Sequence, residues 1–171
     1  MRAAFISVGV ALVTAVGVAG PALAAPPVRH FFTDTQTRVV EGLCGFPVTV
    51  VATFPDTRQV DFYSRDGVLT RTTYHIIEQD TFTAVDSDGN PIGPTLEGSP
   101  YRFRTVLNFD ATGEITSAYG SGHHVSVPLP DGSTFLVAGR VDFLQQAGDF
   151  VYVPDSGVSK NAAAFCTALA P

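Results

Sequence analysis

Phe46-Pro47-Val48-Thr49-Val50-Val51-Ala52-Thr53-Phe54 decides the fold. Phe46, Val48, Val50, Ala52 and Phe54 stand at every second position, with Pro47, Thr49, Val51 and Thr53 between them. A β-strand turns successive side chains to opposite faces, so this spacing makes one dry face and one wetter one. The alternation returns in Tyr101, Phe103, Thr105, Leu107 and Phe109 against Arg102, Arg104 and Asn108. It returns again in Phe135, Val137, Gly139, Val141 and Phe143 against Thr134, Ala138, Arg140 and Asp142.

Turn signals separate these runs: Asp66-Gly67, Asp88-Gly89-Asn90-Pro91, Asp110-Ala111-Thr112-Gly113, Asp131-Gly132 and Gly148-Asp149. Glycine there supplies the positive φ that tight hairpins need. The pattern predicts an all-β, antiparallel up-and-down meander of about eight strands, near 46–54, 58–64, 68–78, 80–86, 101–109, 114–120, 123–128, 134–145 and 150–153, with one long connection at 86–100. Hairpin-length links favour closure as a barrel, with a sandwich as the alternative, because an open meander leaves two edges unpaired. At the C-terminus Ala162, Phe165, Cys166 and Leu169 recur at helical spacing. They predict a short helix capped near Ser159, with Cys166 on its buried face.

The first residues read as a leader. Met1-Arg2 precedes an uncharged run of small and apolar residues over 3–20, then Pro21-Ala22-Leu23-Ala24-Ala25. That is a basic start, an apolar stretch and an A-x-A cleavage site, which predicts a signal peptide over 1–24, cleavage near Ala24 and a secreted, extracellular product. The rival reading, an uncleaved membrane anchor, fits an Ala/Val/Gly-rich run with a well-formed cleavage site less well. No later stretch is long and apolar enough to span a bilayer as a helix. Residues 25–43, without periodicity before Phe31-Phe32, predict an extended, partly loose arm, and 44–171 a single domain. Two cysteines, Cys44 and Cys166, lie 122 positions apart. In an oxidising compartment they predict a disulfide closing nearly the whole domain.

Charge and motifs exclude more than they identify. Without Arg2 the chain carries sixteen acidic residues against nine basic, a net of −7. The arginines between 58 and 104 are interspersed with acids, so nucleic acid is not expected as a partner. Arg71, Arg102 and Arg104 read as cross-strand partners for acids. Of the histidines, His123 shares the apolar alternation of Val125 and Val127, while His124 falls with Ser126 outside. His123, with Tyr119 as a lumen partner, is the candidate for acid–base chemistry, although an interior histidine is ordinarily a hydrogen-bonded core residue. Asp86, Asp88, Asn90 and Glu97 match part of a calcium loop, but Pro91 stands where the sharp turn needs glycine, and a hairpin turn explains the same residues. No cofactor is expected, and no nucleophile-elbow, zincin or nucleotide-binding motif occurs.

Cys44-Gly45-Phe46-Pro47-Val48, Ala111-Thr112-Gly113, Pro130-Asp131-Gly132-Ser133, Gly139-Arg140-Val141 and the closing Cys166 and Leu169 together resemble a group of small secreted β-domain proteins of actinobacteria, for which no activity is established. The resemblance implies export, the disulfide and the fold, and it carries over no functional residue. Two functions follow as expectations. One is a non-catalytic module that contacts an extracellular protein or envelope partner. The other is a small barrel enzyme of the cyclase or isomerase kind, or a carrier of a small apolar ligand. The inward residues are large, with Ala52, Ser117 and Gly139 the small ones, so no interior apolar cavity above about 300 Å³ is expected.

Overall fold

The computed structural model describes residues 25–145 and 156–171. The leader, the Gly148-Asp149 turn and the strand expected at 150–153 lie outside the described residues. Eight antiparallel strands form one sheet: β1 (Val28–Val40), β2 (Val48–Tyr63), β3 (Leu69–Val85), β4 (Pro91–Glu97), β5 (Tyr101–Phe109), β6 (Ile115–Pro128), β7 (Thr134–Asp142) and β8 (Ser156–Lys160), followed by helix α1 (Ala162–Leu169). The order is β1-β2-β3-β5-β6-β7-β8, and β4 pairs with β3 beside this path. None of the described helices is long and apolar enough to cross a membrane.

The sheet does not close, so the expected barrel gives way to the alternative, a sheet folded over itself. Closure would require β1 to pair with β8, and among the described residues β8 pairs only with β7 before the chain turns into α1. The helix, not a strand seam, covers the end of the core.

Three expected breaks are absent, because the strands run through them. In β2 the register shifts between Thr53 and Asp56, so Pro55 sits in a bulge, where a missing N–H is tolerated. In β3 the run continues across Gln79, and in β6 across Gly120 to Gly122. Within the expected long connection lies β4, paired to the second half of β3. Residues 28–40 of the N-terminal segment form strand β1, paired with β2 along its length.

The helix cap also differs from expectation. Ser159 pairs with Val137 inside β8, so its backbone is committed to the ladder. The cap is Asn161, in a left-handed conformation (φ 63°) that asparagine tolerates, with its side-chain amide donating to the Thr134 carbonyl at 2.8 Å.

The long strands divide the sheet into two ends. At one, Val48 and Val50 of β2, Phe82 and Ala84 of β3, Val125 and Val127 of β6 and Phe135 and Val137 of β7 form one cluster with Phe165 and Leu169 of α1. The Phe165 ring lies 5.2 Å from that of Phe82 and 4.5 Å from that of Phe135. Cys44, in the β1–β2 loop, bonds to Cys166 with Cα atoms 5.4 Å apart, tying the helix to the first hairpin. Among the described residues no helix lies over the other end, and the candidate sites lie there and at the boundary.

Candidate functional site

Register decides which side chains share the outer face of the open end. Phe31 pairs with Arg58, Arg58 with His75, His75 with Arg104, Arg104 with Ser121 and Ser121 with Arg140. Neighbouring rows add Arg29 opposite Val60 and Arg71 opposite Phe62. Arg102, two positions before Arg104 on β5, projects to the same side. Six of the eight arginines beyond the leader therefore share one face, where the carboxylates are Asp56 and Asp142.

The expectation that Arg71, Arg102 and Arg104 answer acids across the strands fails, because the register brings them other partners. Arg104 stands between His75 and Ser121, Arg71 between Phe62 and Asn108, and Arg102 opposite Ile77. Arg71 lies over the Phe62 ring at 4.0 Å and Arg140 over the Tyr119 ring at 4.2 Å. Among the described residues Arg29, Arg58, Arg102 and Arg104 make no ion pair. Burial first, then the charges of Arg58 and Arg104, hold the His75 imidazole below its usual range. The two guanidinium charges flank the imidazole with no acid in the row, and an anion bound there would be attracted to both.

The face is also concave. Arg58, His75, Arg102 and Arg104 line an open groove of about 550 Å³ together with Phe31, Ile77 and one carboxylate, Asp56, against three guanidinium groups. An adjoining hollow of about 240 Å³ is shared by Arg29, Arg58, His75 and Arg104. Phe31 is 70% exposed, a large aromatic ring beside unpaired guanidinium groups. Chemically the face offers several planar donors for carboxylate, sulfate or phosphate oxygens, with an apolar surface next to them.

A second unusual group lies on the inner face, where the two ends meet. Tyr74, Ile76, Glu78, Asp80, Phe82 and Ala84 alternate along β3, and Glu78 and Asp80 occupy positions that would ordinarily be apolar. Glu78 is 5% exposed and Asp80 is fully buried. The Tyr101 hydroxyl donates to Asp80 Oδ2 at 2.6 Å. Asp80 Oδ1 has no N–H or hydroxyl donor, and the neighbouring Glu78 carboxyl supplies one when it keeps its proton. Burial, then the Asp80 charge, pushes Glu78 up to about 8, with Arg38 acting in the opposite sense. Burial also raises Asp80 and raises the Tyr101 phenol further still. The pair thus stores a proton at neutral pH in a place closed to solvent.

No family model matches the chain, and neither a curated protein nor a solved structure does. The functional reading rests on geometry alone.

The histidine assignment is reversed. The β6–β7 register shifts between His123 and Val125, so one extra residue enters β6 and the phase changes. His124, not His123, is buried, at 3% exposure, with its ring 5.3 Å from Phe103 and 6.4 Å from Phe143. Its Nε2 lies 3.3 Å from the Gly139 carbonyl, and burial holds it below the usual histidine range. His123 and Tyr119 both project from the outer face, four residues apart, and do not converge on a reacting centre.

Asp86 is engaged by its own turn. Its Oδ1 accepts the backbone N–H of Asp88 at 2.9 Å and of Asn90 at 2.8 Å, and these hydrogen bonds hold its carboxyl below the usual range. Glu97 stands at the far end of β4, opposite Thr81. Among the described residues no three His, Cys, Asp or Glu side chains are grouped to hold a metal ion.

Sequence reasoning missed both the basic face and the acid pair. For the pair a signal was present, since Glu78 and Asp80 continue the alternation from Tyr74 to Ala84. For the basic face the needed information was the register between strands, which no single strand carries.

Proposed function

We propose that this protein is an exported, non-catalytic binding module that holds an anionic glycopolymer against the basic outer face of its sheet. The observation that carries the reading is the unpaired row of Arg58, His75 and Arg104 on adjacent strands in a chain whose overall charge is negative. The groove crosses the strands, and with strands about 4.8 Å apart the row from Phe31 to Arg140 spans roughly 24 Å, suited to a linear polymer lying across them. The hollow shape favours a chain over a flat bilayer, and the exposed Phe31 ring gives a sugar face something to stack on. Acidic residues elsewhere repel polyanions and restrict contact to this side. The disulfide is consistent with an oxidising compartment and supports export. An enzyme or carrier draws less support, since His123 and Tyr119 do not meet and the acid pair is sealed.

Retention on immobilised dextran sulfate, with neutral dextran as control, tests the reading. The protein is expected to bind at low ionic strength and to elute as salt screens the contacts, and Arg58→Glu/Arg104→Glu is expected to pass through. Equal retention of the variant, or retention on anionic vesicles but not on dextran sulfate, overturns it.

A further inference from the structure

The opposite, inner face of the open end carries an independent feature. A cleft of about 230 Å³ is lined by Phe32, Asp34 and Gln36 of β1, Phe54 and Thr57 of β2 and Tyr74 of β3. Residues three apart on a regular strand point to opposite faces. The extra residue in β2 changes that: Phe54 pairs with Asp34 and Thr57 with Phe32, which brings Phe54 and Thr57 to the same side. Bulges recur next to binding sites because they re-aim side chains in this way.

Thr57 is 2% exposed, and its hydroxyl has no hydrogen-bond partner in the protein. A buried hydroxyl left unpaired costs free energy, so an occupant that supplies its partner gains from it. Across from it, Asp34 accepts the Thr35 N–H and the Gln36 side-chain amide, both at 2.8 Å, so the carboxylate and the amide orient each other. Phe32, Phe54 and Tyr74 add apolar ring surface. The set combines aromatic walls, an oriented acid and amide, and a hydroxyl awaiting a partner.

From this we infer that the cleft is a subsite for one neutral sugar ring. A pyranose presents apolar C–H faces to aromatic rings and hydroxyls around its edge, and it satisfies both halves of the lining. A hydrocarbon would strip water from Asp34 and Gln36 and leave the Thr57 hydroxyl unpaired. An anion would meet the Asp34 carboxylate, and no cation lines the cleft. The volume lies below the range of sites for drug-sized ligands and leaves room for a single ring. This inference does not depend on the basic face, which lies on the other side of the sheet.

Saturation-transfer NMR on the full mature protein tests it, using methyl glucoside, mannoside and galactoside, with cyclohexanol as the apolar ring. At least one glycoside is expected to receive saturation at its ring protons and to bind with millimolar affinity, while cyclohexanol does not. Thr57→Val is expected to weaken that binding about tenfold, the loss of roughly one hydrogen bond, while melting no lower than the parent. Arg58→Glu/Arg104→Glu is expected to keep sugar binding, which separates this site from the polymer face. Absence of transfer to all three glycosides, equal binding by Thr57→Val, or equal binding of cyclohexanol overturns the inference.

Discussion

The two ends of the sheet are built from the same strands and use them differently. Along the inner face of β2 the side chains run Val48 and Val50 under the helix, then Ala52, Phe54, Thr57, Gln59 and Asp61 beyond it. Along β3 they run Ala84 and Phe82, then the acids Asp80 and Glu78, then Ile76, Tyr74 and Thr72. Helix α1 covers only the apolar part, and the acid pair marks where its cover stops. The comparison teaches that stability and recognition are separated along the strands. The covered end holds the dense apolar packing and the disulfide, while the open end carries unpaired charge, a bulge and three hollows.

Removing the disulfide is the strongest way to break this division. Cys44→Ser/Cys166→Ser frees a closure of 122 residues and is expected to lower stability by about 4 kcal/mol, read by urea unfolding. Phe165→Ala tests the same end through packing: the ring is fully buried between Phe82 and Phe135, so the expected loss is about 3 to 5 kcal/mol. Phe31→Ala, with the same chemical truncation at a 70% exposed site of the open end, is expected to change stability by no more than about 0.5 kcal/mol. Similar losses at the two phenylalanines would erase the distinction between the ends.

The boundary between the ends gives a pH signature. Glu78, ordinarily near 4.5, sits at about 8 in the folded protein, so between those values folding takes up a proton. Its contribution is complete below 4.5 and is lost as pH rises toward 8, at up to about 1.4 kcal/mol per pH unit. Asp80, also raised by burial, acts in the same sense. His124 opposes them: held below 6.5 by burial, it stays neutral when folded and costs stability as pH falls below 6.5. The decline with rising pH is therefore expected to be steepest between 6.5 and 8, where His124 no longer contributes. Glu78→Gln keeps a donor for Asp80 and is expected to flatten that limb in unfolding experiments across this window. An unchanged slope would mean that the pair does not hold the proton.

How much of this was legible follows from what each signal requires. Period-2 alternation is a property of one strand, so Val48, Val50, Phe135 and Val137 announced their burial directly, and the two cysteines announced their bond. Closure of the sheet depends on what happens at β1 and β8, both short of apolar pattern, and there the expectation of a barrel failed. Bulges are the other blind spot. One added residue in β6 exchanged His123 for His124 as the buried imidazole and leaves no mark in composition or spacing, and one in β2, marked only by Pro55, brought Thr57 beside Phe54. The arginine face needed the register of six strands at once.

That face yields the smallest stability effect and the one that separates the two ends most cleanly. Arg104 lies directly across from His75, which in turn faces Arg58, so the three positions place cationic or protonatable groups side by side without an acid. Arg104→Glu replaces one of them with the opposite charge and is expected to raise stability by a few tenths to about 1 kcal/mol, the ordinary size of a cross-strand charge pair. The same substitution is expected to lift the His75 imidazole, since one of the charges holding it down becomes an attraction, and an NMR titration of its ring protons reads this. Retention on dextran sulfate is expected to fall. A protein that becomes more stable when it loses its ligand carries that charge for binding and not for folding. If Arg104→Glu instead destabilises the chain, the arginines belong to the fold, and the division between a structural end and a binding end no longer holds.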